Sequence, residues 1–477
     1  MQSTSLNFKE NAARALHDPQ LQRALGNVKS GFMVKRAAAR AGLPEFDALR
    51  SAAVDIKNHV LAHLDIYLEE YERRVVETGG HVHWARGAAE AREIIVRLCR
   101  EAGAQSVTKG KSMVSEEIGL NAALEEAGIE PVETDLGEYI IQLRHETPSH
   151  IIAPAIHLTR DQIEHDFREA HKSLPDGRDL TQIPELVSEA RTMLRQKFLA
   201  ADVGITGANF LIAETGSSVI LTNEGNGDLT QLLPRTHIVI ASIEKLVPTL
   251  EDASTILRLL ARSATGQEIT TYTTFSTGPR REGDPDGPEA YHVVLLDNGR
   301  SEMLGTEFQD MLRCIRCGAC MNHCPVYAAI GGHAYGWVYP GPMGAVLTPH
   351  LIGIAEGAHL PNASSFCGRC QSVCPMNIPL PKMMRHWRER DYAAKSPASI
   401  PKLALRAWAF LAKRPRLYRL AMNPGVRMLS LMAGRKRRFS YLPLAGAWTK
   451  YRDLAAPAPK SFQSLWQKRE REKAHHG

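Results

Sequence analysis

Cysteine is almost absent outside one stretch. Of the eight cysteines in 477 residues, seven lie between Cys314 and Cys374, and only Cys99 stands apart. That distribution excludes a disulfide framework spread over the chain and points to metal binding, since cytosolic thiols are kept reduced. Aromatic residues make up 6% and charged residues 23%, ordinary values for a folded domain protein. No run reaches the ~18 uninterrupted apolar residues of a membrane-spanning helix. The opening MQSTSLNFKENAARALHD has no apolar core, so no secretory leader is expected and the expected location is the cytoplasm. GxGxxG and Walker A patterns are missing, which leaves a standard nucleotide site unsupported. So are flavin, NAD and molybdenum motifs, and the C-x2-C…H-x3–5-H form of nucleic-acid-binding zinc fingers.

Acidic residues are scarce at one end. From Pro381 to Gly477 there are 23 Lys/Arg against 5 Asp/Glu, a net +18, which leaves −12 for residues 1–380 within the total of +6. An acidic body with a basic tail predicts an anionic partner for the tail, either an acidic subunit or the inner face of a membrane. Nucleic acid as that partner rests on the tail alone and is not expected.

The patterning divides the chain into four regions. Residues 1–74 have the apolar spacing of helices. Residues 75–300 alternate short β-branched runs with helical segments, as in GGHVHWA, QSVTKGK, IEPVETD and THIVIASIEKLVPTL. This predicts an α/β domain whose parallel or mixed sheet is covered by helices. SEEIGLNAALEEAG reads as one helix closed by Gly128, and LEDASTILRLLARSA as a helix capped by Asp252 or Thr249. Residues 301–385 hold the cysteines, with GGHAYGWVYPGPMGAVLTPHLIG as an ordered loop between them. Residues 386–477 read as a basic helical tail, with ALRAWAFLAKRPRLYRLA as its most amphipathic stretch, a helix at Leu403–Ala412 and a basic run at Arg435–Arg438.

The first cysteine group is Cys314-x2-Cys317-x2-Cys320-x3-Cys324-Pro325. This spacing holds a [4Fe–4S] cluster in two-cluster ferredoxins, where the fourth cysteine serves the other cluster. The second group is Cys367-x2-Cys370-x3-Cys374-Pro375, and alignment of the Cys-Pro ends sets Ser364 opposite Cys314. Crossover then predicts Cys314, Cys317, Cys320 and Cys374 around a [4Fe–4S] cluster. Cys324, Cys367 and Cys370 fall around a second cluster, [4Fe–4S] or [3Fe–4S]. The missing fourth ligand of the second is left to Ser364, a histidine, water or a partner subunit. Structural zinc is the rival, but two Cys-Pro endings and an unbroken four-cysteine run argue against it.

Weaker features accompany these. Gly204–Ala208 and Ala213–Ser217 are glycine- and hydroxyl-rich strand ends able to cradle an anion, with Glu214 as a ligand or a turn residue. Lys109, Lys111 and Ser112 form a candidate anion clamp. His145, His150 and His157 match no chelate spacing and are read as structural. His323 is placed to donate a hydrogen bond toward the second cluster. Cys99, beside the stripe Ala91, Ile94, Ile95, Leu98, reads as a buried inert thiol. No residue is singled out as catalytic.

Together with the segments KGKSMVSEEIGLN and AETGSSVILTNEGNGDL, the two cysteine motifs resemble those of the lactate utilization protein B family over about residues 20–470. The resemblance implies an α/β fold like that of ribose-phosphate isomerases and CoA transferases. It also implies work beside A and C subunits in oxidising L-lactate to pyruvate, with electrons leaving toward a carrier such as a quinone. The serine at 364 is then a family trait. The expected role is electron transfer; the alternative is an α/β enzyme or ligand sensor with regulatory clusters.

Overall fold

The computed structural model describes residues 3–395, 399–443, 445–450 and 452–476. The chain forms two compact units, Met1–Asp391 and Tyr392–Gly477. The first opens with helices Phe8–His17, Pro19–Ser30, Phe32–Ala41, Phe46–Ala62 and Leu64–Glu77. Val60, Leu61, Leu64, Leu68, Tyr71 and Val75 of the last two are buried, the spacing of one helix face turned to a core.

Ten strands follow: β1 (His81–Ala85), β2 (Ser106–Lys109), β3 (Glu130–Glu133), β4 (Val203–Gly207), β5 (Phe210–Ile212), β6 (Ser217–Thr222), β7 (Thr236–Ser242), β8 (Leu246–Val247), β9 (Tyr272–Ser276) and β10 (Ala290–Leu296). Six of them form a parallel sheet in the order β1-β10-β7-β4-β2-β3. Continuous burial of Ile238–Ala241 and Val293–Leu296 is what helices on both faces of a parallel sheet require. β8-β5-β6-β9 make a smaller mixed sheet. The architecture is the α/β class read from the sequence.

Three local readings change. The segment after β2 is two helices, Met113–Ile118 and Leu120–Glu126, because Gly119 between them adopts φ +67, a left-handed conformation free of Cβ strain only in glycine. The stretch between the cysteine groups, read as a loop, contains a helix at Gly341–Leu351. Its glycines and prolines masked it, yet Pro342 sits in the first turn, where no intrahelical N–H is lost, and Gly341–Pro349 are all buried. Of the two candidate caps for Leu250–Ala264, Thr249 takes the role, its Oγ1 accepting from Asp252 N at 3.1 Å.

A buried ionic chain runs through this unit. Arg300, fully buried, donates to both carboxylate oxygens of Glu117 at 2.9 and 2.7 Å. Its Nε lies 3.0 Å from Glu244 Oε2, and Arg316 approaches Glu244 Oε1 at 3.3 Å. Tyr339 and Asn298 donate to Glu117 as well, at 2.6 and 2.7 Å. Burial alone would raise the Glu244 carboxyl, but Arg300, Arg316 and Lys245 outweigh it and hold it at about 2. These contacts join the segments that follow the interior strands β7 and β10, and the helix Met113–Ile118, to the loop between Cys314 and Cys317.

In the second unit, helices Ile400–Ala412 and Pro415–Met432 leave Ile400, Leu403, Trp408, Leu420 and Leu431 exposed. Among the described residues, no helix is long and apolar enough to cross a membrane.

Candidate metal centre

The two cysteine groups have matching backbones. A 3-10 turn, Gln309–Arg313 or Leu360–Ala363, leads into Cys314 (φ −67, ψ 119) in one and Ser364 (φ −71, ψ 133) in the other. Arg316 and Phe366 are both left-handed, at φ 58 and 55. Gly318 (φ 71, ψ −6) and Gly368 (φ 77, ψ −5) then start the short helices Ala319–Asn322 and Arg369–Val373. Ser364 therefore stands where Cys314 stands in the first group, on the same backbone. Close packing also restricts Gly318, where a Cβ would lie 3.1 Å from Ile152 and 3.3 Å from His150.

The sulfurs separate into two cavities. Cys314, Cys317, Cys320 and Cys374 line one, together with Arg316, Ile151 and Met343. Cys324, Cys367 and Cys370 line the other, together with Ser364, Phe366 and Arg369. Each cavity thus draws cysteine from both sequence groups. No carboxylate or histidine lines either one. Ser364 Oγ accepts from Phe366 N at 3.1 Å. Cys367 is exposed, whereas Cys317 and Cys374 are buried, so the second cavity has the solvent-facing ligand.

The donor set fits iron–sulfur clusters better than zinc. A tetrahedral zinc site with Zn–S bonds near 2.3 Å holds its sulfurs about 3.8 Å apart. Among the described residues, no three cysteine sulfurs lie within 4.8 Å of one another. Burial pushes the Cys370 thiol up to about 12 and Cys320 well above its ordinary value, with neighbouring cysteines adding to the shift. Free thiolates would be rare in such cavities, whereas coordination to a metal deprotonates a thiol outright.

Positive charge gathers at the first cavity. Arg36, 7% exposed, donates to Val373 O at 2.7 Å, and Arg50 donates to Gln371 O at 3.2 Å. Arg316 lies over the Tyr339 ring at 5.0 Å. His150 is fully buried; its Nδ1 accepts from Ile152 N and Ala153 N, and its Nε2 donates to Asn322 Oδ1 at 2.9 Å. Burial lowers it to about 4, so it is a neutral prop under the first cysteine loop. His323 does not take the role read from the sequence. Its Nδ1 donates back to Ala319 O at 2.9 Å, and it lines neither cavity.

The other sequence candidates are also placed. Lys109 is buried against Glu116 and Glu133 at 2.8 and 2.7 Å and is no anion clamp. Ser112 caps the following helix through Ser115 N. Lys111 Nζ donates to Ile152 O. Glu214 is exposed and accepts from Leu250 N at 2.8 Å, capping a helix. His157 bonds Glu146 and Ser149, at 2.8 and 2.9 Å, while His145 is exposed. Cys99 is fully buried, with its thiol pushed up to about 12. A further cavity of about 1310 Å³, counting its open mouth, lies at the carboxyl ends of β2, β4 and β7; Lys111, Ser112 and Thr206–Ala208 line it, but Ala213–Ser217 do not. Sequence reasoning missed Arg36, Arg300 and Lys245; only the isolated lysine within the apolar run THIVIASIEKLVP carried a signal.

The LUD domain family matches residues 68–296, the 4Fe-4S dicluster domain residues 310–378, and the C-terminal domain of lactate utilisation protein B residues 382–471. Lactate utilization protein B of Shouchella clausii is 43% identical over 477 residues, covering 98% of each chain. That of Bacillus velezensis is 43% identical over 476 residues, again 98% of each. An uncharacterized electron transport protein of Escherichia coli K12 is 40% identical over 483 residues, 100% of both chains. A solved DUF162 family protein from Deinococcus radiodurans covers 49% of this chain and 98% of its own, with 14% identity and a TM-score of 0.27.

Proposed function

Because the chain belongs to the lactate utilization protein B family, we propose that it is the electron-transfer subunit of a complex oxidising L-lactate to pyruvate. The observation that carries this reading is the sorting of seven cysteines into two neighbouring cavities. Cys314, Cys317, Cys320 and Cys374 would hold one [4Fe–4S] cluster. Cys324, Cys367 and Cys370 would hold a second, [4Fe–4S] or [3Fe–4S]. Bound clusters supply one-electron transfer at potentials set by ligand charge, hydrogen bonding and solvent exposure.

The chain's own residues tune and shield these positions. Ile151, Met311 and Met343 keep water from the first cavity, and Arg36 and Arg316 favour added negative charge there. The second cavity has one thiolate fewer and its exposed Cys367, which suits the exchange of electrons with a partner. A and C type subunits are the proposed partners, and an acceptor such as a quinone the proposed outlet. The basic second unit, with its exposed apolar side chains, supports docking on an acidic partner or on the inner membrane face.

The test is anaerobic co-purification with the A and C type subunits, followed by electron paramagnetic resonance during addition of L-lactate. Reduction of the clusters by lactate only when the partners are present is the expected result. Lactate oxidation that persists in full after the clusters are removed would overturn the reading and favour an α/β enzyme with regulatory clusters.

A further inference from the structure

The cavity at the carboxyl ends of β2, β4 and β7 is lined by two largely buried polar side chains, each with a group that has no partner. Lys245, 7% exposed, follows β7 in a 3-10 turn and lines the cavity. Among the described residues its ammonium has no hydrogen bond or ion pair, because the adjacent Glu244 is engaged by Arg300 and Arg316. Asn226, 9% exposed, lines the same cavity, and its Oδ1 is buried with no donor. The buried carbonyl oxygen of Asn226 has lost hydration that only a donor offsets, and the Lys245 ammonium, on a largely buried side chain, is left open to an anion in the cavity.

Lys111, Lys245 and Arg316 outnumber Asp135 and Glu224 in the lining. Asp135 Oδ1 accepts from Gly137 N and Glu138 N, and Glu224 is exposed. Lys111 is turned to Ile152 O. The cavity also sits where the strand order reverses, β2 lying between β3 and β4, the usual place for ligands in open α/β sheets.

We propose that this cavity binds a small hydroxycarboxylate, with its carboxylate paired to Lys245 and its hydroxyl donated to Asn226 Oδ1. Arg316 and Ile151 line both this cavity and the one formed by Cys314, Cys317, Cys320 and Cys374, so the occupant lies across a single layer of side chains from that site. The anion site stands on the unpaired lysine; the choice of a hydroxy acid rests on the function proposed above.

The test is calorimetric titration of the anaerobic full-length protein with L-lactate, propionate and inorganic phosphate. Lactate should bind more tightly than propionate, which lacks the hydroxyl. Lys245→Gln should weaken lactate binding about tenfold or more, Lys245→Arg should retain most of it, and Asn226→Leu should reduce lactate to the level of propionate. If Lys245→Gln fails to fold, Lys245→Arg and Asn226→Leu carry the test. No saturable lactate binding, binding indifferent to these variants, or phosphate binding more tightly than lactate would overturn the inference. Lactate that does not bind this chain while the partners still reduce its clusters would remove this site alone. Lactate that binds while the clusters are never reduced would remove the electron-transfer reading alone.

Discussion

Cys374→Ala should abolish the same paramagnetic signal as Cys320→Ala, and Cys370→Ala should abolish the other. Cys374 follows Cys370 by four positions and belongs to the same sequence group. Proximity along the chain would give both residues to one cluster. The fold assigns them differently: Cys374 lines the cavity with Cys314, Cys317 and Cys320, and Cys370 lines the one with Cys324 and Cys367. The short helix Arg369–Val373 ends at Cys374, which is already extended at φ −67 and ψ 121, so the chain leaves one cavity and enters the other within a single turn. Loss of one thiolate from a four-cysteine set should cost about four irons per chain, the content of one cube. Iron content and electron paramagnetic resonance of the three variants, reconstituted anaerobically, check this. If Cys374→Ala and Cys370→Ala lose the same signal, each cluster is held by its own sequence group and the crossover is wrong.

Arg300→Ala should be the most destabilising single change outside the cysteines. Arg300 compensates two buried carboxylates, Glu117 and Glu244. Removing one member of a buried ion pair costs about 3–5 kcal/mol, because the other charge stays buried without compensation. Here Glu117 is stranded outright and Glu244 keeps only Arg316 of its two ion-pair partners, which disturbs the loop between Cys314 and Cys317. Denaturant unfolding of the variant should show the loss, together with faster loss of iron from the first cluster. The sign of the pH dependence follows from Glu244. Its folded value of about 2 lies below the ordinary ~4.3 of glutamate. The stability it confers is therefore complete above the ordinary value and is lost only as pH falls toward 2. Wild-type stability from this carboxylate should therefore be equal at pH 8 and pH 6, whereas the deficit of Arg300→Ala should be no larger at pH 6 than at pH 8, because carboxylates left buried without Arg300 take up protons more readily. A wild-type stability that falls between pH 8 and pH 6 together with no deficit for Arg300→Ala at pH 8 would show that the ionic chain is not formed.

What the sequence disclosed follows from how far each constraint reaches along the chain. Metal ligation fixes cysteine spacing within a few residues, so both motifs and the serine gap at 364 were legible. Strands such as THIVIAS were legible because a parallel sheet buried on both faces needs continuous apolar runs. The break at Gly119 was not, since glycine is tolerated within a helix and only the neighbouring packing selects its left-handed form. The helix Gly341–Leu351 is buried on almost every side and has no amphipathic stripe to detect. Glu117, Glu244, Arg300 and Arg316 look like surface charges in sequence and meet only once β7 and β10 pair side by side. The same holds for the candidate ligand site. Lys109 and Glu214, singled out by their loops, are consumed by ion pairing and helix capping, while Lys245 and Asn226 are left unpaired by distant parts of the fold.

The central claim is that the seven cysteines hold two iron–sulfur clusters, and the direct test is iron, acid-labile sulfide and zinc content of the anaerobically purified full-length chain. The account predicts about eight irons per chain, or about seven if the second cluster is [3Fe–4S], with matching sulfide and no zinc. A stable, active protein with one or two zinc ions and no sulfide would contradict it.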